Sequence, residues 1–316
     1  MTEPAREFPK EEVEAAFAEF VRLGAQGRDW PAWASLFTED ALYLEHSLGT
    51  FHGRQGVHDW IVPTMEPMGA MTFSIDWTIF EDDRVAFYIW NHLPDPAGGR
   101  TRYGFPNLAV LVYAGDGHFS CEEDFYNPAD AERVVGDWFR AGGRGATAPD
   151  PTLTAIPDHT PDPVTTVFGR DEVERELAAY VERGVQAKTS GDWVPWAGQF
   201  TEDARYWEHH YGRFRGREEI RSWITGVMQP FPDMDFPVDW SMIDGNRAVL
   251  RCRNRLPDPA GGGEDHSFAV GVILHYAGGG QWSYEEDCYN PAEVMPVVER
   301  WVAAGGTLPD GLTPAG

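Results

Sequence analysis

Residues 37–54 (FTEDALYLEHSLGTFHGR) return as residues 200–217 (FTEDARYWEHHYGRFRGR). A shift of 163 positions lays Trp30 on Trp193, Asp76-Trp77 on Asp239-Trp240, and LPDPAGG at 93 on LPDPAGG at 256. The same shift lays EEDFYNPA at 122 on EEDCYNPA at 285 and Trp138 on Trp301, with no gap from Trp30 to Gly143. Only the first helix needs a shift of 160, because AKTSGDW is three residues longer than GRDW. So long a period exceeds a solenoid unit and matches whole domains. The chain is read as a tandem duplication, 7–143 and 171–312. The proline-rich segment 144–170, with neither helical nor strand period, links the copies.

Each copy spells the same elements. Val13, Phe17, Phe20 and Val21, like Val173, Leu177, Tyr180 and Val181, sit at helical spacing. A short helix follows, with Asp29 or Asp192 as N-cap, then a strand through LEHS or WEHH, a glycine-bounded turn and a third helix. Three or four strands come next, their first apolar face read as Phe73, Ile75, Trp77 and Ile79. Asn127-Pro128 opens a last helix, with Val134, Val135 and Trp138 as its buried stripe.

A formal charge of −26 repels phosphate backbones and anionic membrane surfaces, so no nucleic-acid or membrane partner is expected. The first residues, MTEPAREFPKEE, contain no apolar stretch of the signal type, which makes a cytoplasmic location the expectation. Cys121, Cys252 and Cys288 lack metal-type spacing and read as buried free thiols. No glycine-rich phosphate loop, G-x-S-x-G elbow or CxxC is present, so neither cofactor nor metal is expected.

The segments GRDWPAWASLFTEDALYLEH…GTFHGRQGVHDWI and SGDWVPWAGQFTEDARYWEHH…GRFRGREEIRSWI resemble the SnoaL-like polyketide cyclase branch of the nuclear transport factor 2-like superfamily. The resemblance covers nearly all of both copies. It implies an α+β fold, a curved, mostly antiparallel sheet wrapped with three or four helices around a cone-shaped apolar pocket. It is weak for the reaction, since catalysts, binding modules and dimerisation domains share this fold. Ketosteroid isomerases of the superfamily place a catalytic carboxylate where His46 and His209 fall, with Glu45 and Glu208 one residue away. Their first-helix tyrosine corresponds to Tyr180 but to Phe20 in the first copy. Their later-strand acid corresponds to Ala109 and Val272, which argues against a steroid-isomerase oxyanion hole.

Strand parity sorts the remaining polar residues. Val85, Phe87 and Ile89 continue to Asn91, and Ala248, Leu250 and Cys252 continue to Asn254, so both amides point inward. Each is either a substrate hydrogen-bonder or an amide tied to a nearby loop. On the strand after the second turn, Phe119, Cys121, Glu123 and Phe125 (Trp282, Tyr284, Glu286, Cys288) read as inward. Glu122, Asp124 and Tyr126 (Glu285, Asp287, Tyr289) then read as outward, facing the stripe Arg251, Arg253, Arg255 in the second copy. Parity leaves LEHS open, because Arg205 argues that the histidine phase faces out while Leu42 and Leu44 argue that it faces in. The family position favours histidine.

The expected protein is a cofactor-independent lyase, isomerase or cyclase acting on a small apolar or aromatic carbonyl compound. His46 and His209, with Glu45 and Glu208 as neighbours, would move the proton, and Glu123 and Glu286 would relay it. Asn91 and Asn254 would hold the oxygen, while Trp77, Trp240 and Tyr180 would pack the ring. The alternative is a non-catalytic small-molecule binding or scaffolding module. The aromatic outer phase of the first copy, Tyr88 and Trp90, suggests that the two domains pack on each other as a pseudo-dimer, leaving further oligomerisation open.

Overall fold

A computed structural model describes residues 7–145, 147–154 and 165–308. The chain divides into two units, one on each side of Thr160–Pro161. The middle of the expected linker, 155–164, lies outside the described residues, as does the end of the second expected domain from 309 onward.

Unit 1 runs α1 (Lys10–Val21), α2 (Trp30–Ala34), β1 (Phe37–Glu45), β2 (Gly49–His52), α3 (Gly53–Met65), β3 (Thr72–Glu81), β4 (Arg84–Leu93), β5 (Tyr103–Gly115), β6 (His118–Phe125) and α4 (Pro128–Arg140). Unit 2 repeats it as α5 (Arg170–Ser190), α6 (Val194–Ala197), β7 (Phe200–Glu208), β8 (Gly212–Arg215), α7 (Arg217–Met228), β9 (Val238–Asp244), β10 (Arg247–Leu256), β11 (His266–Gly278), β12 (Gln281–Cys288) and α8 (Val294–Ala303). The sheets are ordered β2-β1-β6-β5-β4-β3 and β8-β7-β12-β11-β10-β9. The first and last long strands of each unit pair in parallel, and every other pairing is antiparallel. This is the expected α+β fold in two tandem copies.

The recurrent motifs act as joints. The glycine of FHGR and FRGR has positive φ (72° at Gly53, 82° at Gly216), and a Cβ there would lie 2.6 Å from Glu39 O or 2.9 Å from Glu202 O. Only glycine fits that approach. The arginine after it turns back, donating from Nε to Phe37 O at 2.7 Å or Phe200 O at 2.6 Å, which fixes the third helix against its strand. LPDPAGG is a turn whose aspartates, Asp95 and Asp258, accept loop amides. The last helix grips that loop, because Trp138 and Trp301 donate from Nε1 to Pro94 O and Pro257 O at 2.8 Å. Asp29 caps α2, and Asn127 and Asn290 cap the segments that follow them.

In each unit, register shifts on two strands reverse which residues face the interior. On β6, Tyr113 pairs with Phe119 but Val112 with Cys121, so Ser120 is an extra residue; Ser283 is its counterpart between Trp282 and Tyr284. Beyond the bulge Leu111 faces Glu122 and Ala109 faces Asp124, and Leu274 and Val272 face Glu285 and Asp287. Leu111, Ala109, Leu274 and Val272 all belong to the cores, so these acids point inward. The parity reading of this strand is therefore corrected: Glu123 and Glu286 lie on the outward side. On β3 the shift falls between Ile75 and Trp77, and on β9 between Val238 and Trp240. Trp77 thereby joins Tyr88 (ring centroids 5.6 Å apart, 15° between planes), and Trp240 lies opposite Arg251. Both indoles leave the interior face to which the sequence assigned them.

Candidate active site

The LEHS question is answered by pairing. Tyr43 and Glu45 are register partners of Glu122 and Asp124, and Tyr206 and Glu208 of Glu285 and Asp287. Neighbours in register share a face, so the glutamates of LEHS and WEHH turn inward and the histidines outward. His46 Nε2 lies 3.0 Å from Glu123 Oε1 and His209 Nε2 lies 2.8 Å from Glu286 Oε1. The expected proton relay is thus assembled, but on the side of the strand away from the interior. Arg205 was the correct indicator; Leu42 and Leu44 occupy an outward phase that is itself partly buried.

Unit 2 encloses a cavity of about 610 Å³, in the range of small-molecule sites. Its walls include Trp193, Trp196, Trp223, Met228, Phe268 and Val272, and its polar points include Glu208, Glu285, Asp287 and Asn254. Asn254 faces the cavity as expected, Tyr180 reaches it from α5, and Cys252 is part of the wall. His209, Glu286 and Trp240 are not among its lining residues. Asn91, in unit 1, shares a face with Phe73 and Phe105 and donates to Phe105 O at 3.4 Å.

The cavity acids form one network. Tyr180 donates to Glu285 Oε1 at 2.7 Å. Tyr206 Oη lies 2.6 Å from Asp287 Oδ2 and 2.9 Å from Glu285 Oε1. A phenol carries one proton, so it satisfies one of these contacts, and the other is a hydrogen bond only if the carboxyl group donates. Burial drives the acids in that direction. Desolvation, and then the charge of Asp287, holds Glu285 well above the usual carboxylate range. Desolvation raises Asp287 as well, against the opposing effect of Tyr206. Beside them, Glu208 Oε1 accepts from Tyr289 at 2.5 Å, and Oε2 accepts from the amides of His210 (2.7 Å) and Tyr211 (2.5 Å). Glu208 therefore also holds the turn between β7 and β8.

Unit 1 keeps part of this network. Tyr43 donates to Asp124 Oδ2 at 2.6 Å and Asn107 donates to Oδ1 at 2.8 Å. Burial raises Asp124 only to about 6, with both donors pulling it down, while Glu122 goes well above its usual range. Phe20 stands where Tyr180 donates, and Val270 stands where Asn107 donates. Tyr126 donates to Glu45, whose other oxygen accepts from the amides of Ser47 and Leu48. The stripe Arg251, Arg253, Arg255 pairs with Asp239 and Asp235 instead of the β12 acids, as follows from the reversed phase. Glu285, Asp287, Tyr206 and Tyr289 were missed as candidates in the sequence; the unchanged Glu-Glu-Asp and Tyr of EEDxYNPA in both copies was the available signal.

None of the three cysteines forms a disulfide; Cys252 and Cys288 are buried as expected, whereas Cys121 is only half-buried. Among the described residues no helix is long and apolar enough to cross a membrane.

Several solved structures share similarity with the chain. One is a hypothetical protein of ketosteroid isomerase-like fold from Catenulispora acidiphila, in complex with trimethylamine (20% identity, 40% of this chain and 92% of that one, TM-score 0.33). Another is TerC co-crystallised with polyporic acid (19%, 40% and 98%, 0.33). A third is a putative polyketide cyclase from Xanthomonas campestris (16%, 40% and 98%, 0.32). No curated protein matches the chain. The family model for the SnoaL-like domain matches residues 16–119 and again residues 181–284, one stretch in each unit and together more than half of the sequence. The chain is a member of the SnoaL-like domain family and carries that domain twice.

Proposed function

We propose that the chain is a lyase, isomerase or cyclase that uses its own side chains for acid–base chemistry on a small, largely apolar carbonyl compound bound in the unit 2 cavity. The observation that carries this reading is the set of buried acids in a largely apolar chamber. Environments that push neighbouring carboxyl groups toward different roles are how acid and base are separated in one site. Asp287 and Glu285, raised by burial, act as hydrogen-bond and proton donors to the substrate oxygen, with Tyr180 and Tyr206 holding them in place. Glu208, next to Asp287 in the sheet, takes the proton from the carbon beside the carbonyl. Asn254 and the indoles of the wall orient the substrate. The outward His209–Glu286 pair has no part in this scheme, and unit 1 serves as its structural counterpart.

Solvent-deuterium incorporation beside the carbonyl of cyclic enones and aryl ketones, followed by NMR, tests the proposal. Exchange by the full chain that is lost in Glu208→Gln and Asp287→Asn supports it. Tight binding of these probes with no exchange in any of them would favour the binding-module reading instead.

A further inference from the structure

On the outward face of unit 2, three side chains of different metal-binding chemistry converge. His209 comes from the end of β7, and Glu286 and Cys288 alternate along β12, its parallel neighbour. His209 Nε2 lies 2.8 Å from Glu286 Oε1 and 3.8 Å from Cys288 Sγ, and Sγ lies 3.5 Å from the same Oε1. A tetrahedral ion bound through nitrogen, oxygen and sulfur sets its ligand atoms about 3.4–3.6 Å apart. To meet that geometry the His–Glu distance must open by roughly half an ångström and the His–Cys distance must close by about 0.2 Å. The side chains of His209 and Glu286 are 3% exposed and Cys288 is 1% exposed, so all three are held in packed structure.

We propose that this cluster is a binding site for one divalent transition-metal ion of the zinc type. The charge balance favours it: a carboxylate, a thiolate and a neutral imidazole offset two positive charges, leaving no net charge buried. Binding releases the thiol proton of Cys288, and any proton shared by His209 and Glu286, to solvent. The surroundings orient the ligands as an outer shell does. Tyr284 donates to the second oxygen of Glu286 at 2.6 Å, and Trp207 stacks on the His209 ring with centroids 4.1 Å apart. Unit 1 supplies an internal control. Its His46–Glu123 pair is retained at 3.0 Å, but Phe125 replaces the cysteine and packs on the imidazole at 5.4 Å. Cysteine spacing could not reveal the site, because its ligands come from paired strands 77 and 79 residues apart.

Because the cluster is closed, the ion is loaded as the chain folds; the full chain is therefore produced in cobalt-supplemented medium. A single equivalent of cobalt and a thiolate-to-cobalt charge-transfer band in the near ultraviolet are expected. Cys288→Ser should lose the band, and Cys288→Phe, which installs the unit 1 residue, should lose both band and metal. Tyr284→Phe should weaken retention against a chelator about tenfold. Circular dichroism separates lost metal from lost fold, and if Cys288→Ser does not fold, His209→Gln is read in the same way. Absence of bound cobalt, cobalt without a thiolate band, or a band that survives Cys288→Ser overturns the proposal. Deuterium exchange in the cavity is untouched by any of these outcomes.

Discussion

The interiors of the two units differ where their scaffolds agree. In unit 1 the rings of Phe17, Phe20, Phe80, Phe87 and Phe119 pack on one another at 5.1–6.0 Å. In unit 2 the corresponding residues are Leu177, Tyr180, Ile243, Leu250 and Trp282, and the space includes the 610 Å³ cavity that Tyr180 and Leu250 help to line. Trading rings for branched aliphatic chains removes packed volume, which a folded core does not recover fully by collapse. Trading Phe20 for Tyr180 places a hydroxyl on Glu285. Duplication thus allowed one copy to pack five phenylalanine rings on one another while the other combined a cavity with a fuller set of polar groups. The same division appears on the outward face, where Cys288 replaces Phe125.

The largest expected effect follows from assigning the chemistry to unit 2. Glu208→Gln should reduce proton exchange about 10²–10⁴-fold, the usual contribution of a positioned base, whereas Glu45→Gln should leave it nearly unchanged. Equal losses from the two substitutions would break the assignment.

Stability against pH provides the next test, in unit 1. Asp124 is buried and raised to about 6, above an unfolded value of about 3.9. The folded state therefore binds this proton more tightly than the unfolded state between those values. Stability falls as pH rises from about 4 to about 6 and is unaffected by this group above that. The loss is on the order of 3 kcal/mol. Asp124→Asn should remove that part of the slope, measured as the difference in denaturant stability between pH 4.5 and 7. A variant that keeps the wild-type slope would show that the carboxyl group is not shielded as its burial indicates.

The duplication, the element order and the caps Asp29, Asn127 and Asn290 were legible because they depend on local chemistry and on two readings of the same pattern, whereas Asp192 falls one residue before the N-cap of α6, Trp193. Face assignment was legible only up to the first bulge. Ser120 and Ser283 are ordinary strand residues, and nothing in an alternating pattern marks one residue as extra. From that point every inference about Glu123, Glu286 and their neighbours inverted. Trp77 failed for the same reason at the shift after Ile75. His46 and His209 were placed differently: Leu42 and Leu44 set against Arg205 left parity open and the family position favoured histidine, whereas the outward side of β1 is also sheltered. The alternation of WEHH with Arg205 was the better guide, because a charged side chain is more costly to bury than a leucine is to expose.

A smaller and more specific change asks why the two aspartates differ. Asn107 donates to Asp124, while Val270 cannot donate to Asp287. Val270→Asn should restore that donor, favour the charged form and lower the pKa of Asp287. If exchange requires the protonated acid, the alkaline limb of its pH profile should move down with it; a limb that stays in place would remove Asp287 from the donor role.

The smallest effect divides EEDxYNPA into two functions. Asn127 and Asn290 accept the amides of Ala129 and Ala292 at 3.0 and 2.9 Å, which is capping geometry. Asn127→Ala and Asn290→Ala should each cost about 1 kcal/mol in denaturant stability. Neither should shift the pH dependence of exchange, since the caps organise the start of the last helical segment while the acids two and four residues upstream of the tyrosine face the interior. A cap substitution that moved the pH profile would show that the segment is one functional unit, and would extend the site from the strand into the helix start.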